Sequence, residues 1–144
     1  MSDARHQDPR AWKELTDRNR ETIERALQAF NDGAVEAFLG YFSDDMAFWM
    51  NGSHQFSGAV QGKEAFLELV GRVGEGLSKM ITLDARNIIA GGEWVVVEAS
   101  GDATTTDGEP YRNRYCMLWR LDDGKIVEFR EYNDSHLVVE KFPR

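Results

Sequence analysis

A carboxyl held among aromatic side chains can transfer protons at neutral pH, and the stretch from Gly124 to Asp134 offers one in its Glu131-Tyr132-x-Asp134 element. The element follows an apolar, β-forming run, so alternation decides which way each side chain faces. Val127, Phe129, Glu131 and Asn133 share one face; Ile126, Glu128, Arg130, Tyr132 and Asp134 share the other. The first set is the more apolar up to Glu131, which places Glu131 inward. Surrounded there by Phe129, Trp119 and Trp49, it is desolvated, and desolvation raises a carboxyl pKa. The competing role is an ion pair with an arginine or a place at a solvated rim. Asn51 and Asn113 each carry a donor and an acceptor that can polarise a ligand carbonyl, or else fix backbone at strand ends. Glu131 and Asn51 are therefore the candidate catalytic pair. Trp49, Asn113, Tyr115, Trp119, Phe129 and His54, which lies beside the Gly52-Ser53 turn, are the candidate ligand-binding set.

Helices and strands must bring these residues together. Asp8-Pro9 is a helix start, a capping side chain followed by proline at the first helical position. Trp12, Leu15, Ile23, Ala26, Leu27 and Phe30 then mark one helical face, which Gly33 closes. Val35, Phe38, Leu39 and Phe42 predict a second helix ended by Ser43-Asp44-Asp45, and Met46 to Asn51 predicts a strand. A third helix begins near Gly62 on the stripe Phe66, Leu69, Val70, Val73 and Leu77. Its glycines 71, 74 and 76 predict fraying after Val73.

The remainder is β-rich. Strands over 81–90, 93–104 and 110–121 and the last strand are joined at Gly91-Gly92, Asp107-Gly108 and Asp123-Gly124, which predicts an antiparallel meander. On the third of these, Tyr111, Asn113, Tyr115, Met117, Trp119 and Leu121 face a pocket, while Arg112, Arg114, Cys116, Leu118 and Arg120 face outward. On the second, Val95, Val97, Ala99 and Gly101 are small enough to leave a ligand room. Helices set against one face of an antiparallel sheet define an α+β architecture.

The 144 residues suit one domain over 9–144, with 1–8 expected as a disordered tail. A formal charge of −8 argues against nucleic acid and anionic membranes as partners. No apolar run approaches the roughly 18 residues that span a bilayer. The polar N-terminus lacks a signal-peptide core, and a cytoplasmic location is expected. A lone cysteine and three scattered histidines lend no support to a metal site. No phosphate loop, dinucleotide fingerprint or nucleophile elbow occurs.

Trp49-x-Asn51-Gly52, Gly58-x-x-x-Gly62-Lys63, Asp107-Gly108-x-Pro110-Tyr111-x-Asn113-x-Tyr115 and Asp123-Gly124-Lys125-Ile126 leading to Glu131-Tyr132-x-Asp134 occur in an order that resembles the SnoaL-like branch of the superfamily containing nuclear transport factor 2 and ketosteroid isomerase. The resemblance covers about Asn19 to Phe142. It implies a cone-shaped α+β barrel, a curved antiparallel sheet packed around the N-terminal helices, with a deep apolar pocket and a homodimer formed through the sheet. It also implies cofactor-independent acid/base chemistry of isomerase, cyclase or hydrolase type on a small apolar, carbonyl-bearing ligand. Trp49, Met50 and Asn51 stand where ketosteroid isomerases carry their base. Trp49, Ala99 and Gly101 replace the tyrosine and the Arg-x-Asp pair of the limonene-type epoxide hydrolases, leaving Glu131 as the acid. A non-catalytic binding protein and a protein-interaction module of the same fold are the alternatives.

Overall fold

Asp8 caps the first helix by accepting a hydrogen bond from the Arg10 N–H at 2.9 Å, and Pro9 begins it. The structure, a computed structural model, describes residues 8–143. The tail expected over 1–8 lies outside the described residues except for Asp8, which is part of the fold. Helix α1 (Pro9–Asn31) is unbroken and buries Leu15, Asn19, Ile23, Ala26 and Leu27, one stripe at helical spacing. Polar residues fasten it at both ends. Thr16 Oγ1 accepts the Gly92 N–H and Asn19 Nδ2 donates to the Gly92 carbonyl, both at 2.8 Å. Asn31 clamps the N–H and C=O of Leu83, also at 2.8 Å each.

Helix α2 (Val35–Leu39) is shorter than its apolar stripe predicts. Strand β1 (Phe42–Met50) has already begun at Phe42, which pairs with Ile126 and is only 1% exposed. Ser43-Asp44-Asp45 therefore lies inside the strand instead of ending a helix, and a register shift between Phe42 and Ala47 absorbs it. Strand β2 (Gly58–Gln61) folds back on β1, and helix α3 (Lys63–Glu75) follows. The expected fraying after Val73 does not occur, and Gly76 ends the helix. Gly71 faces open space, and Gly76 lies where an added Cβ would come within 2.8 Å of the Phe142 ring. Close approach of that ring selects glycine here.

Strand β3 (Leu77–Gly91) starts four residues earlier than expected, and β4 (Trp94–Thr105) returns alongside it. The single strand expected over 110–121 is split at Arg112-Asn113 into β5 (Pro110–Tyr111) and β6 (Arg114–Asp122). Strand β7 (Lys125–Asn133) and a short helix α4 (Ser135–Lys141) complete the chain. The Asp134 carboxylate accepts from the His136 and Leu137 N–H groups, so this residue caps α4.

The sheet runs β2-β1-β7-β6-β4-β3, with β5 beside β4. Every pair is antiparallel except β1–β7, which is parallel, so the curved sheet is mixed, and it is not closed. Only a long connection can bring two parallel strands together, and here it is nearly the whole chain between them. A register shift between Arg120 and Leu121 turns Ile126 into the core at 0% exposed and leaves Val127 half-buried, the reverse of simple alternation for these two residues. From Phe129 onward the expected facing holds. Among the described residues no helix is long and apolar enough to cross a membrane.

Candidate functional site

Three rows of side chains cross the concave face of the sheet. Phe48, Phe129, Trp119 and Val95 form the first, and Met50, Glu131, Met117 and Val97 the second. Asn133, Tyr115 and Ala99 form the third. The first row is aromatic where it matters: Trp119 stacks on Phe129 with ring centroids 3.8 Å apart, and Phe48 meets Phe129 edge-on at 5.0 Å. Over these rows lies a cavity of about 100 Å³ whose roof comes from α1, α3 and α4. Val138 of α4 and Phe142 just after it help to enclose it, and this helix is absent from the sequence-based expectation.

Glu131 stands in the cavity wall between Met50 and Met117. The residue is half-buried, in a wall that is mostly apolar. Burial pushes its pKa up to about 7, only partly opposed by the Asn133 amide, whose Nδ2 donates to Oε2 at 2.8 Å. Tyr115 and Tyr111 sit beside one another and feel the Glu131 charge. Burial is the main cause that raises both phenols above their ordinary value, so each keeps its proton at neutral pH. Tyr111 Oη already accepts a hydrogen bond from Asn113 Nδ2 at 2.9 Å, which leaves its own proton free to donate. A carboxyl poised near neutrality thus shares the cavity wall with two protonated phenols, of which Tyr115 is hydrogen-bonded to Tyr111.

Two further polar atoms in the same wall have no partner. Trp119 Nε1 and Asn133 Oδ1 are both buried without a hydrogen bond. Orphaned buried groups are rare in native proteins because each costs roughly 1–3 kcal/mol. Asn133 is the site residue that sequence reasoning left out of the candidate set, although alternation had already placed it on the face of Glu131.

Of the expected set, Glu131, Tyr115, Trp119 and Phe129 meet in the cavity, and the others do not. Trp49 lies on the opposite face, where its ring packs against Tyr132 at 5.1 Å, because Phe48 and Met50 hold the inward positions of β1. Asn51 spends both ends of its amide on Asn133 backbone, donating to the carbonyl at 2.9 Å and accepting the N–H at 3.1 Å. It thereby extends the β1–β7 pairing. Asn113 is likewise consumed by Tyr111, Arg114 and Asp134. His54 belongs to the turn after β1. Its Nδ1 accepts the Phe56 N–H at 3.1 Å, Nε2 is buried without a partner, and burial lowers its pKa. Among the described residues no three His, Cys, Asp or Glu side chains converge as a metal site.

The room expected at Gly101 is already taken, since a Cβ there would lie 2.5 Å from the Tyr115 ring. Gly101→Ala is expected to push Tyr115 into the cavity and to destabilise the protein by about 1–3 kcal/mol, as overpacked cores do. Urea unfolding beside ligand titration checks this. Unchanged stability would mean that the ring moves freely.

A cone of this shape with a carboxyl in its apolar interior matches known proteins in fold. The SnoaL-like domain family matches residues 23–129, most of the chain, and the protein belongs to that family. Among solved structures it is similar to an NTF2-like protein from Burkholderia pseudomallei, with a TM-score of 0.80 at 18% identity over 88% of this chain and 98% of that one. It is also similar to TerC, co-crystallised with polyporic acid, with a TM-score of 0.78 at 23% identity over 85% and 96%. A protein with a cystatin-like fold from Xanthomonas campestris gives 0.79 at 23% identity over 88% and 98%. No curated protein sequence matches the chain.

Proposed function

We propose that this protein is a cofactor-independent enzyme that moves a proton on a small apolar, carbonyl-bearing substrate, with Glu131 as the acid/base. The observation that carries the reading is the pairing of a carboxyl near pKa 7 with two protonated phenols in one apolar cavity. As a carboxylate, Glu131 takes a proton from the carbon next to the carbonyl. The electron pair passes to the carbonyl oxygen, where a phenolic O–H of Tyr115 or Tyr111 stabilises the developing charge. Returning the proton to a different carbon isomerises the substrate; returning it to the same carbon exchanges it. Asn133 holds the carboxyl in place.

The test is conversion of cyclohex-3-enone to its conjugated isomer, followed with wild type and Glu131→Gln. The variant is expected to lose roughly 10²–10⁴-fold in rate, the usual worth of a positioned acid/base. The wild-type rate is expected to rise with pH through about 7, where the base form appears, and then level off. If the glutamine variant kept the wild-type rate, the enzyme reading would fall and a binding protein of the same fold would replace it.

The outer face of the sheet supports a second part of this reading, a homodimer. Trp49, Leu118 and Tyr132 lie there with the Glu128 carboxylate between Arg120 and Arg130, at 3.9 and 2.9 Å. Light scattering is expected to give twice the mass of one chain. A monomer would leave this face for a different protein partner.

A further inference from the structure

The cavity wall carries charge of one sign only. Its titratable side chains are Glu131 and the two protonated phenols, Tyr111 and Tyr115. Among the described residues no lysine, arginine, histidine or second acid lines it. Arg72 lies over the Phe56 ring, 5.4 Å from its centroid, but it is exposed and donates to the Gln55 carbonyl. The ionised form of Glu131 therefore has no counter-charge inside the cavity.

One oxygen of that carboxyl is occupied and the other is free. Oε2 accepts from Asn133 Nδ2 at 2.8 Å, and Oε1 has no hydrogen-bond partner among the described residues. Nor is Oε1 sealed in the packing. The fully buried, unpartnered side-chain atoms are Ser43 Oγ, His54 Nε2, Trp119 Nε1 and Asn133 Oδ1, and Oε1 is not among them. The row of Glu131 lies between Phe48, Phe129 and Trp119 on one side and Tyr115 on the other. A carboxylate beside aromatic rings favours an ammonium, through a charge-assisted hydrogen bond and the negative ring faces. A space of about 100 Å³ limits the body that carries it to roughly one ring.

We infer that the cavity binds a small apolar amine as its ammonium ion, with a ligand N–H donating to Glu131 Oε1 and the hydrocarbon ring among the aromatic side chains. The inference rests on the proposal that the cavity takes a small molecule, but not on any catalysis there. Folding has already taken Glu131 out of water, so the cation meets an anion whose desolvation is carried by the folded state. The formal charge of −8 draws cations toward the protein. A neutral alcohol gains only the weaker, uncharged bond, and an anion is repelled. The amine also blocks the proposed proton transfer, since the carboxylate it occupies is the base.

Isothermal titration of the whole chain at about pH 8.5 with cyclohexylamine, cyclohexanol and cyclohexanecarboxylate tests it, because the three share one ring and differ in charge. At that pH Glu131 is ionised and an alkylammonium keeps its proton, as lysine does. The amine is expected to bind about tenfold more tightly than the alcohol, and the carboxylate not at all. Lowering the pH to about 6 is expected to weaken the amine about tenfold, as Glu131 takes up a proton. Glu131→Gln is expected to bring the amine down to the affinity of the alcohol. An amine that binds no better than the alcohol, a preference that survives Glu131→Gln, or no binding by any member would each overturn the inference. Amine binding that depends on Glu131 while Glu131→Gln keeps full turnover removes the catalytic reading and leaves this one standing. Turnover lost in the variant, with no preference for the amine in wild type, does the reverse.

Discussion

Glu131→Gln is expected to stabilise the protein by about 3 kcal/mol at pH 9 and to change it little at pH 4. The carboxyl titrates at about 7 in the folded protein against an ordinary 4.5, chiefly because burial penalises the anion. Between those two values the folded protein retains a proton that the unfolded chain has released. Stability therefore falls as pH rises through that window. Below it both states hold the proton and there is no penalty; above it both are ionised and the penalty is complete. The shift, at 1.36 kcal/mol for each pH unit, sets the magnitude. Glutamine has the same shape, never ionises, and still offers an oxygen to Asn133 Nδ2. Urea unfolding of both proteins at pH 4, 6, 8 and 9 checks the prediction. A difference that stays constant with pH would contradict it. The gain at high pH and the loss of turnover would come from one residue, the pattern expected where a site is kept destabilised for its chemistry.

Asn113→Ala is expected to cost about 3–5 kcal/mol without any specific effect on ligand affinity. Asn113 is 1% exposed and sits in the break between β5 and β6. Its Nδ2 donates to Tyr111 Oη at 2.9 Å and to the Asp134 carbonyl at 3.2 Å. Its Oδ1 accepts the N–H groups of Arg114 at 2.7 Å and of Asp134 at 3.0 Å. Alanine leaves the buried Tyr111 hydroxyl and three part-buried backbone groups unpaired, a buried one worth roughly 1–3 kcal/mol and the others less, with partial recovery by water and local relaxation. The damage falls on the break between β5 and β6 and, through Asp134, on the cap of α4. Thermal unfolding with ligand titration of the surviving folded fraction separates the two roles. Unchanged stability with lost affinity would mean that Asn113 contacts the ligand.

What could be read from the chain depended on whether a residue obeyed its local period. Phe129, Glu131 and Asn133 alternate without interruption, so the pocket carboxyl was legible. Ile126 and Val127 were not, because the register shift opposite Arg120 and Leu121 is a property of the paired strands. Trp49 misled because a tryptophan looks like core in any strand. Only the burial of Phe48 and Met50 shows which face of β1 is the inner one. Asn51 and Asn113 had the right chemistry for a ligand, but their amides close gaps in the sheet, a use visible only once Asn133, Tyr111 and Asp134 are in place. The early start of β1 was hidden for a similar reason: Phe42 satisfies a helical stripe and a strand equally well. Helix α4 did carry a signal, Asp134 followed by Leu137 and Val138, that the pattern of capping residue before apolar positions would have caught.

The proposed chemistry requires a glutamate that titrates near neutrality inside an apolar cavity. Carbon-13 NMR of glutamate-labelled protein across pH 3–10, with Glu131→Gln used to assign the signal, measures that property without reference to any substrate. The Glu131 carboxyl is expected to titrate with a midpoint near 7. A midpoint near the ordinary 4.5 would show a solvated carboxylate and would remove the basis for acid/base chemistry in this cavity.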